Sequence, residues 1–234
     1  MKLETICKRS ALLFLAGLVA SMTGLSHRVE AAEKQDFSRW EKGIAAFEKQ
    51  DRDKAPPKNP IVFVGSSSIR LWDLSKSFPH LPALNRGFGG SHMADVVHFA
   101  PRIVLKYEPR LIVLYAGDND IAAGKSPERV RSDFQAFVKT VHEKLPKVRI
   151  VFVCIKPSLR RWALIDKIRK ANALVEAECK KDKRLVYLDI ATPMLGDDGK
   201  PRRELFVNDG LHLNAKGYTI WAERLKPYLE AAKK

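Results

Sequence analysis

Cysteine is scarce in this chain of 234 residues, with three in all, at Cys7, Cys154 and Cys179. So few thiols exclude a disulfide framework, and none stands at the Cys/His spacing of a zinc site. Long apolar runs are scarcer still. The only one, Ala11 to Leu25, is short for a bilayer span of about 20 residues. Internal repeats and low-complexity tracts are absent, which leaves no solenoid or fibrous reading. Acid is under-represented: 27 Asp and Glu face 42 Lys and Arg, for a formal net charge of +15. That balance raises anionic partners such as nucleic acid, acidic polysaccharide or lipid headgroups. The basic residues are nevertheless dispersed, in pairs such as Arg160-Arg161, Lys180-Lys181 and Arg202-Arg203. Without a dense basic block or a base-stacking motif, nucleic-acid binding is not expected, and the charge reads mainly as solvated surface.

What is present begins with a leader. Lys2, Lys8 and Arg9 precede the apolar run, and Val29, Ala31 and Ala32 follow it. A basic start, a short apolar core and a Val-x-Ala site predict a secretory signal over 1–31, with export to the periplasm or beyond and no membrane anchor after cleavage. An uncleaved anchor is the alternative. A short amphipathic helix from Asp36 to Lys49 and a proline-rich connector ending at Pro60 make up an N-terminal segment, 32–60. A single domain, 61–234, is expected to follow, a length ample for one sizeable core.

Within it, strands and helices alternate. Ile61–Val64, Ala83–Arg86, Arg110–Ala116, Arg149–Ile155 and Arg184–Ile190 read as buried strands. Between and after them, helical patterns cover Met93–Tyr107, interrupted near Pro101, then a serine-capped run from Ser126 through Leu145, about Trp162–Cys179, and Lys216–Ala232. Cys154 falls in a strand and Cys179 near a helix end, so two free, buried or half-buried thiols are expected. Five strands, each followed by a helix, predict an α/β fold: a five-stranded parallel sheet with helices on both faces.

Glycine-interrupted stops follow the first three strands: Gly65-Ser66-Ser67-Ser68, Gly87-Phe88-Gly89-Gly90 and Gly117-Asp118-Asn119-Asp120. A fourth polar cluster, Asn208 to Asn214, follows the fifth. Parallel pairing brings these stops to one sheet edge, where ligands bind in open α/β sheets. A serine hydroxyl is a weak nucleophile until a base takes its proton, and His212 is the base expected here. Asp209, three residues earlier, is placed to orient that imidazole. The backbone N–H groups of Ser67 and Gly90 and the side-chain amide of Asn119 are candidate donors to an oxyanion. Each also has a plainer reading: a turn asparagine, a histidine packed under the last helix, an aspartate capping it.

The order of these blocks, Gly65-Ser66-Ser67, then Asn85-Arg86-Gly87-Phe88-Gly89-Gly90, then Gly117-Asp118-Asn119-Asp120, then Asp209-Gly210-Leu211-His212, resembles that of the SGNH hydrolases, the GDSL-like esterase and lipase family. Within the family the chain is most similar to the exported bacterial branch near platelet-activating-factor acetylhydrolase-like and carbohydrate-deacetylase members. The resemblance implies a three-layer α/β/α flavodoxin-like fold and ester hydrolysis through an acyl-serine, with neither metal nor organic cofactor. It commonly has Asp where Ser66 stands here, and ungapped alignment from Phe63 through Trp72 puts Ser67 at the nucleophile position. It thus implies Ser67, Asp209 and His212 as catalytic residues, with Ser67, Gly90 and Asn119 forming the oxyanion hole. Ile69 occupies the place of the second glycine of a Gly-x-Ser-x-Gly elbow, which disfavours the α/β-hydrolase fold. Arg86 and Trp72, and beside them Arg70, Arg160 and Trp162, are weaker candidates for substrate contacts, with packing or surface ion pairing as the alternative. The expected substrate is a small-molecule or glycan ester with a short acyl group such as acetyl. A catalytically silent domain that binds acidic envelope glycans is the rival reading.

Overall fold

A computed structural model of the chain describes residues 35–232. The expected signal over 1–31, and Cys7 with it, lies outside the described residues. Five strands form one fully parallel sheet: β1 (Ile61–Gly65), β2 (Ala83–Gly87), β3 (Leu111–Tyr115), β4 (Arg149–Val153) and β5 (Leu185–Leu188). Their order across the sheet is β2-β1-β3-β4-β5. Every residue of β1 and β3 is buried, the near-continuous apolar pattern required of strands covered on both faces.

The order dictates where the helices go. The chain turns from β1 to β2 in one direction and then crosses back over β1 to reach β3, β4 and β5. With right-handed crossovers, the β1-to-β2 connection falls on one face and the later ones on the other. The first face carries two short helices, α2 (Ser67–Arg70) and α3 (Leu74–Ser77), together with the C-terminal helix α8 (Ala215–Ala231), which packs on α3. The second carries α4 (Met93–Ile103), α6 (Pro127–Lys144) and α7 (Ile165–Cys179) side by side, with the N-terminal helix α1 (Ser38–Asp53) against α4. A single turn, α5 (Asp118–Ala122), leaves the end of β3. Helix α6 begins at its expected serine cap, where Ser126 accepts from the N–H of Arg129 with Pro127 in the first turn, and α8 begins at Asn214, whose side chain accepts from the N–H of Gly217. The helix expected over Met93–Tyr107 tolerates Pro101 but ends at Ile103, and Leu105–Tyr107 tightens into a 3-10 turn.

Helix α1 is bound to the sheet by a buried polar cluster. Arg86, on β2, reaches Asp51 near the end of α1 at 2.5 Å and the hydroxyl of Tyr107 at 2.8 Å. Tyr107 donates in turn to the second oxygen of Asp51, and Lys106 pairs with it at 2.7 Å. Burial works to raise the Asp51 carboxyl, yet Lys106, Tyr107 and Arg86 outweigh it and hold it below the usual carboxylate range. Asp51→Ala strands a buried guanidinium and is expected to cost about 3–5 kcal/mol at pH 7. A depressed folded-state pKa contributes stability above the unfolded value, about 3.9, and loses it as pH falls through the folded value. The gap between wild type and variant in urea denaturation therefore narrows below about pH 4.

Cys154 and Cys179 are free and buried. Burial pushes both thiols up to about 12. Neither is expected to react with a thiol reagent at pH 8 until the protein is denatured, a difference that peptide mapping of the labelled chain reads directly.

Candidate active site

The reversal of direction at β1 leaves a crevice between the C-terminal ends of β1 and β3, and the site is built there. Gly65 closes β1 with φ at +135°, and a Cβ on it would lie 1.9 Å from the Tyr115 carbonyl oxygen of β3. Only glycine permits that approach. The N–H of Ser66 then donates to the same carbonyl at 3.0 Å, and Ser67 opens α2. Successive side chains of the turn diverge: Ser66 and Ser68 are buried, whereas Ser67 is half-buried and faces the crevice. The turn itself thereby separates three serines that look alike in the sequence.

Ser67 Oγ lies 3.0 Å from Nε2 of His212, and Nδ1 of the same ring lies 2.5 Å from Oδ2 of Asp209. The other carboxylate oxygen of Asp209 accepts the backbone N–H groups of Leu211 and His212 at 2.8 and 2.9 Å. Burial works to raise the Asp209 carboxyl, but those two N–H groups and the imidazole together hold it well below the usual carboxylate range. An ionised carboxylate at Nδ1 fixes the proton there and leaves Nε2 as the acceptor facing Ser67. The 208–214 segment is locked at both ends. Phe206 and Leu213 form an antiparallel bridge, and Asn214 caps α8 while donating to the carbonyls of Glu204 and Phe206. From α8 the Tyr218 hydroxyl donates to the Ser68 carbonyl at 2.9 Å, tying the histidine's support to the turn that carries the serine.

Gly90 sits in the turn after β2 with φ at +76°, and Trp40 of α1 closes over it, 3.3 Å from where a Cβ would stand. The next residue, Ser91, accepts Nδ2 of Asn119 at its carbonyl, at 3.0 Å. The structure thus joins Ser67, His212 and Asp209 in one run of contacts and ties Asn119 to the residue after Gly90.

Two expected substrate contacts are corrected. Arg86 is buried and committed to Asp51, Tyr107 and the Asn85 carbonyl. Trp72 is buried too, stacked on Tyr218 at 5.4 Å and edge-on to Phe63, with its indole N–H donating to Ser77. Neither offers a face to a ligand; both hold elements together. Of the other arginines and aromatics, Arg70 lies along Gly89, Arg160 donates its backbone N–H to the Gly210 carbonyl, and Trp162 stacks under Arg169.

One group was not anticipated. Lys156, 1% exposed, lies 2.9 Å from Asp118 and 3.0 Å from the Tyr115 hydroxyl, and Arg161 reaches both Asp118 and Asn119. The available signal was a lysine directly after the apolar run Arg149–Ile155, where a buried cation demands a buried carboxylate. Among the described residues no group of three potential metal ligands is clustered, and no helix is long and apolar enough to cross a membrane.

A five-stranded parallel sheet in this order, with a serine, histidine and aspartate in hydrogen-bonded sequence at its switch point, is the framework of an acyl hydrolase. Residues 70–220 match the GDSL-like Lipase/Acylhydrolase family, and the chain belongs to that family. It is a carboxylic ester hydrolase. The matched stretch takes in Gly90, Asn119, Asp209 and His212 and starts just past Ser67. Among curated proteins, platelet-activating factor acetylhydrolase IB subunit alpha1 of Bos taurus is 29% identical over 192 residues, 79% of this chain and 80% of its own. Among solved structures, a GDSL-like lipase from Bacteroides thetaiotaomicron superimposes with a TM-score of 0.67 at 20% identity, covering 84% of this chain and 98% of its own. A carbohydrate esterase family 3 protein from Talaromyces cellulolyticus gives 0.58 at 16% identity, covering 74% and 97%.

Gly65 is the backbone position on which the serine turn depends. Gly65→Ala is expected to cost about 3 kcal/mol or more, because carbonyl and methyl cannot share the space, and a lowered thermal midpoint checks it.

Proposed function

We propose that this enzyme hydrolyses short-chain esters through an acyl-serine on Ser67. His212 takes the hydroxyl proton as Oγ attacks the ester carbonyl, and the proton passes to the departing alcohol. Water, deprotonated by the same imidazole, then attacks the acyl-serine, and the carboxylic acid leaves as Ser67 regains its proton. Asp209 holds the ring and stabilises its cationic form between these transfers. The oxyanion of each tetrahedral intermediate is held by the N–H groups of Ser67 and Gly90 and by Asn119 Nδ2. The observation that carries this reading is the unbroken sequence of contacts Ser67 Oγ to His212 Nε2 and His212 Nδ1 to Asp209, at 3.0 and 2.5 Å.

The acyl group we propose is acetyl or similarly short, carried on a carbohydrate or lipid alcohol. The acetylhydrolase relative and the carbohydrate esterase neighbour support that choice. So does the basic surface, which favours substrates embedded in an acidic polymer or membrane face. We further propose export, directed by residues 1–31.

A fluorophosphonate probe should modify Ser67, identified by peptide mapping, and His212→Ala should abolish the adduct. Ser67→Ala should lower kcat on p-nitrophenyl acetate by at least about 10³-fold, with acetate preferred over octanoate in wild type. Unchanged hydrolysis in folded Ser67→Ala protein, or no adduct on folded wild type, would overturn the mechanism. The latter result would favour a silent glycan-binding domain.

A further inference from the structure

Asn119 can serve an oxyanion only if its carboxamide presents nitrogen rather than oxygen. The two ends of that group are nearly the same size, so its partners decide the orientation. Here they leave no choice. Asn119 Nδ2 donates to the Ser91 carbonyl at 3.0 Å, and Oδ1 accepts a guanidinium N–H of Arg161 at 3.0 Å. A carbonyl only accepts and a guanidinium only donates, so a flipped amide would set two acceptors and two donors against each other. Nδ2 carries a second hydrogen, and the contact with Ser91 leaves it free to donate.

Arg161 is itself held. Its other terminal nitrogen lies 2.5 Å from Asp118, the residue before Asn119. The second oxygen of Asp118 accepts from Lys156 at 2.9 Å and from the Tyr115 hydroxyl at 3.1 Å. One carboxylate thus faces two cations, and the cluster carries an excess positive charge one side-chain amide away from the proposed oxyanion. The loop bearing Arg161 is pinned to the loop of Asp209 and His212 as well, since Arg160 N–H donates to the Gly210 carbonyl at 3.0 Å.

We propose that Arg161 is a positioning residue: it holds Asn119 by Oδ1 so that Nδ2 faces the reacting centre, and it lends positive charge to the oxyanion through that amide. The inference rests on the oxyanion role proposed for Asn119. A donor fixed before the reaction needs no reorganisation during it, and loss of such support for an active group typically costs about 10–100-fold.

The test measures kcat and KM on p-nitrophenyl acetate for Arg161→Ala, Arg161→Lys, Asn119→Ala and the two Arg161 variants combined with Asn119→Ala. Thermal midpoints identify which proteins are folded. We expect Arg161→Ala to lower kcat about 10–100-fold with KM within about twofold, Arg161→Lys to recover part of the loss, and either change to cost less than about threefold once Asn119 is alanine. Should Arg161→Ala fail to fold, Arg161→Lys carries the same comparison, because it keeps a cation beside Asp118 while losing the planar fork. A full, additive loss in the Asn119→Ala background, a rise in KM alone, or unchanged kcat would overturn the positioning role. If Asn119→Ala itself leaves kcat unchanged, it is the oxyanion reading that fails.

Discussion

Everything at the site depends on one constraint of chain direction. A parallel strand must return by a right-handed crossover, so a sheet ordered β2-β1-β3-β4-β5 has its connections depart from β1 and β3 to opposite faces. Those departures leave a crevice at the C-terminal edge of the sheet. Ser67 enters it from β1 and Asn119 from β3, while the 208–214 segment is brought over it by the last helix. The nucleophile turn depends on the same place, because Gly65 fits against the Tyr115 carbonyl only where β1 and β3 run side by side in register.

Two kinds of electrostatics meet in this gap. Asp209 and His212 are partly open to solvent, and the carboxylate is stabilised mainly by short-range hydrogen bonds from its own turn. Asp118 and Lys156 are buried and Arg161 is half-buried beside them; burial raises the Asp118 carboxyl and the two cations bring it back below the ordinary range. A buried lysine is costly unless paired, and an ion pair in such surroundings contributes orientation more than net stability. Its position directly behind Asn119 gives that cost a use.

Much of this was legible in one dimension. Apolar runs, three of them ended by glycine, located the strands to within a residue or two, and the capping Ser126 marked where α6 begins. The four polar stops fell at one edge because parallel strands leave no other option. What misled was side-chain chemistry without burial. Arg86 and Trp72 lie beside site residues in sequence, yet β-strand alternation and the packing of α8 turn them inward. Arg160-Arg161 looked like a surface pair, although the second of them reaches Asn119 and its neighbour Asp118.

By itself, then, the sequence determined the parallel α/β class and the strand-end loops, since periodicity and glycine punctuation are local properties of the chain, and it proposed the serine, asparagine, aspartate and histidine through the order of blocks shared with a family. Only the tertiary structure decided which arginine serves the site, that Lys156 is buried, that α1 brings Trp40 over Gly90, and that Arg86 binds a helix rather than a ligand. Those are pairings between residues distant along the chain, such as Arg86 with Asp51 and Arg161 with Asp118. Which cation meets which carboxylate is settled when the elements pack, and no spacing in the sequence encodes it.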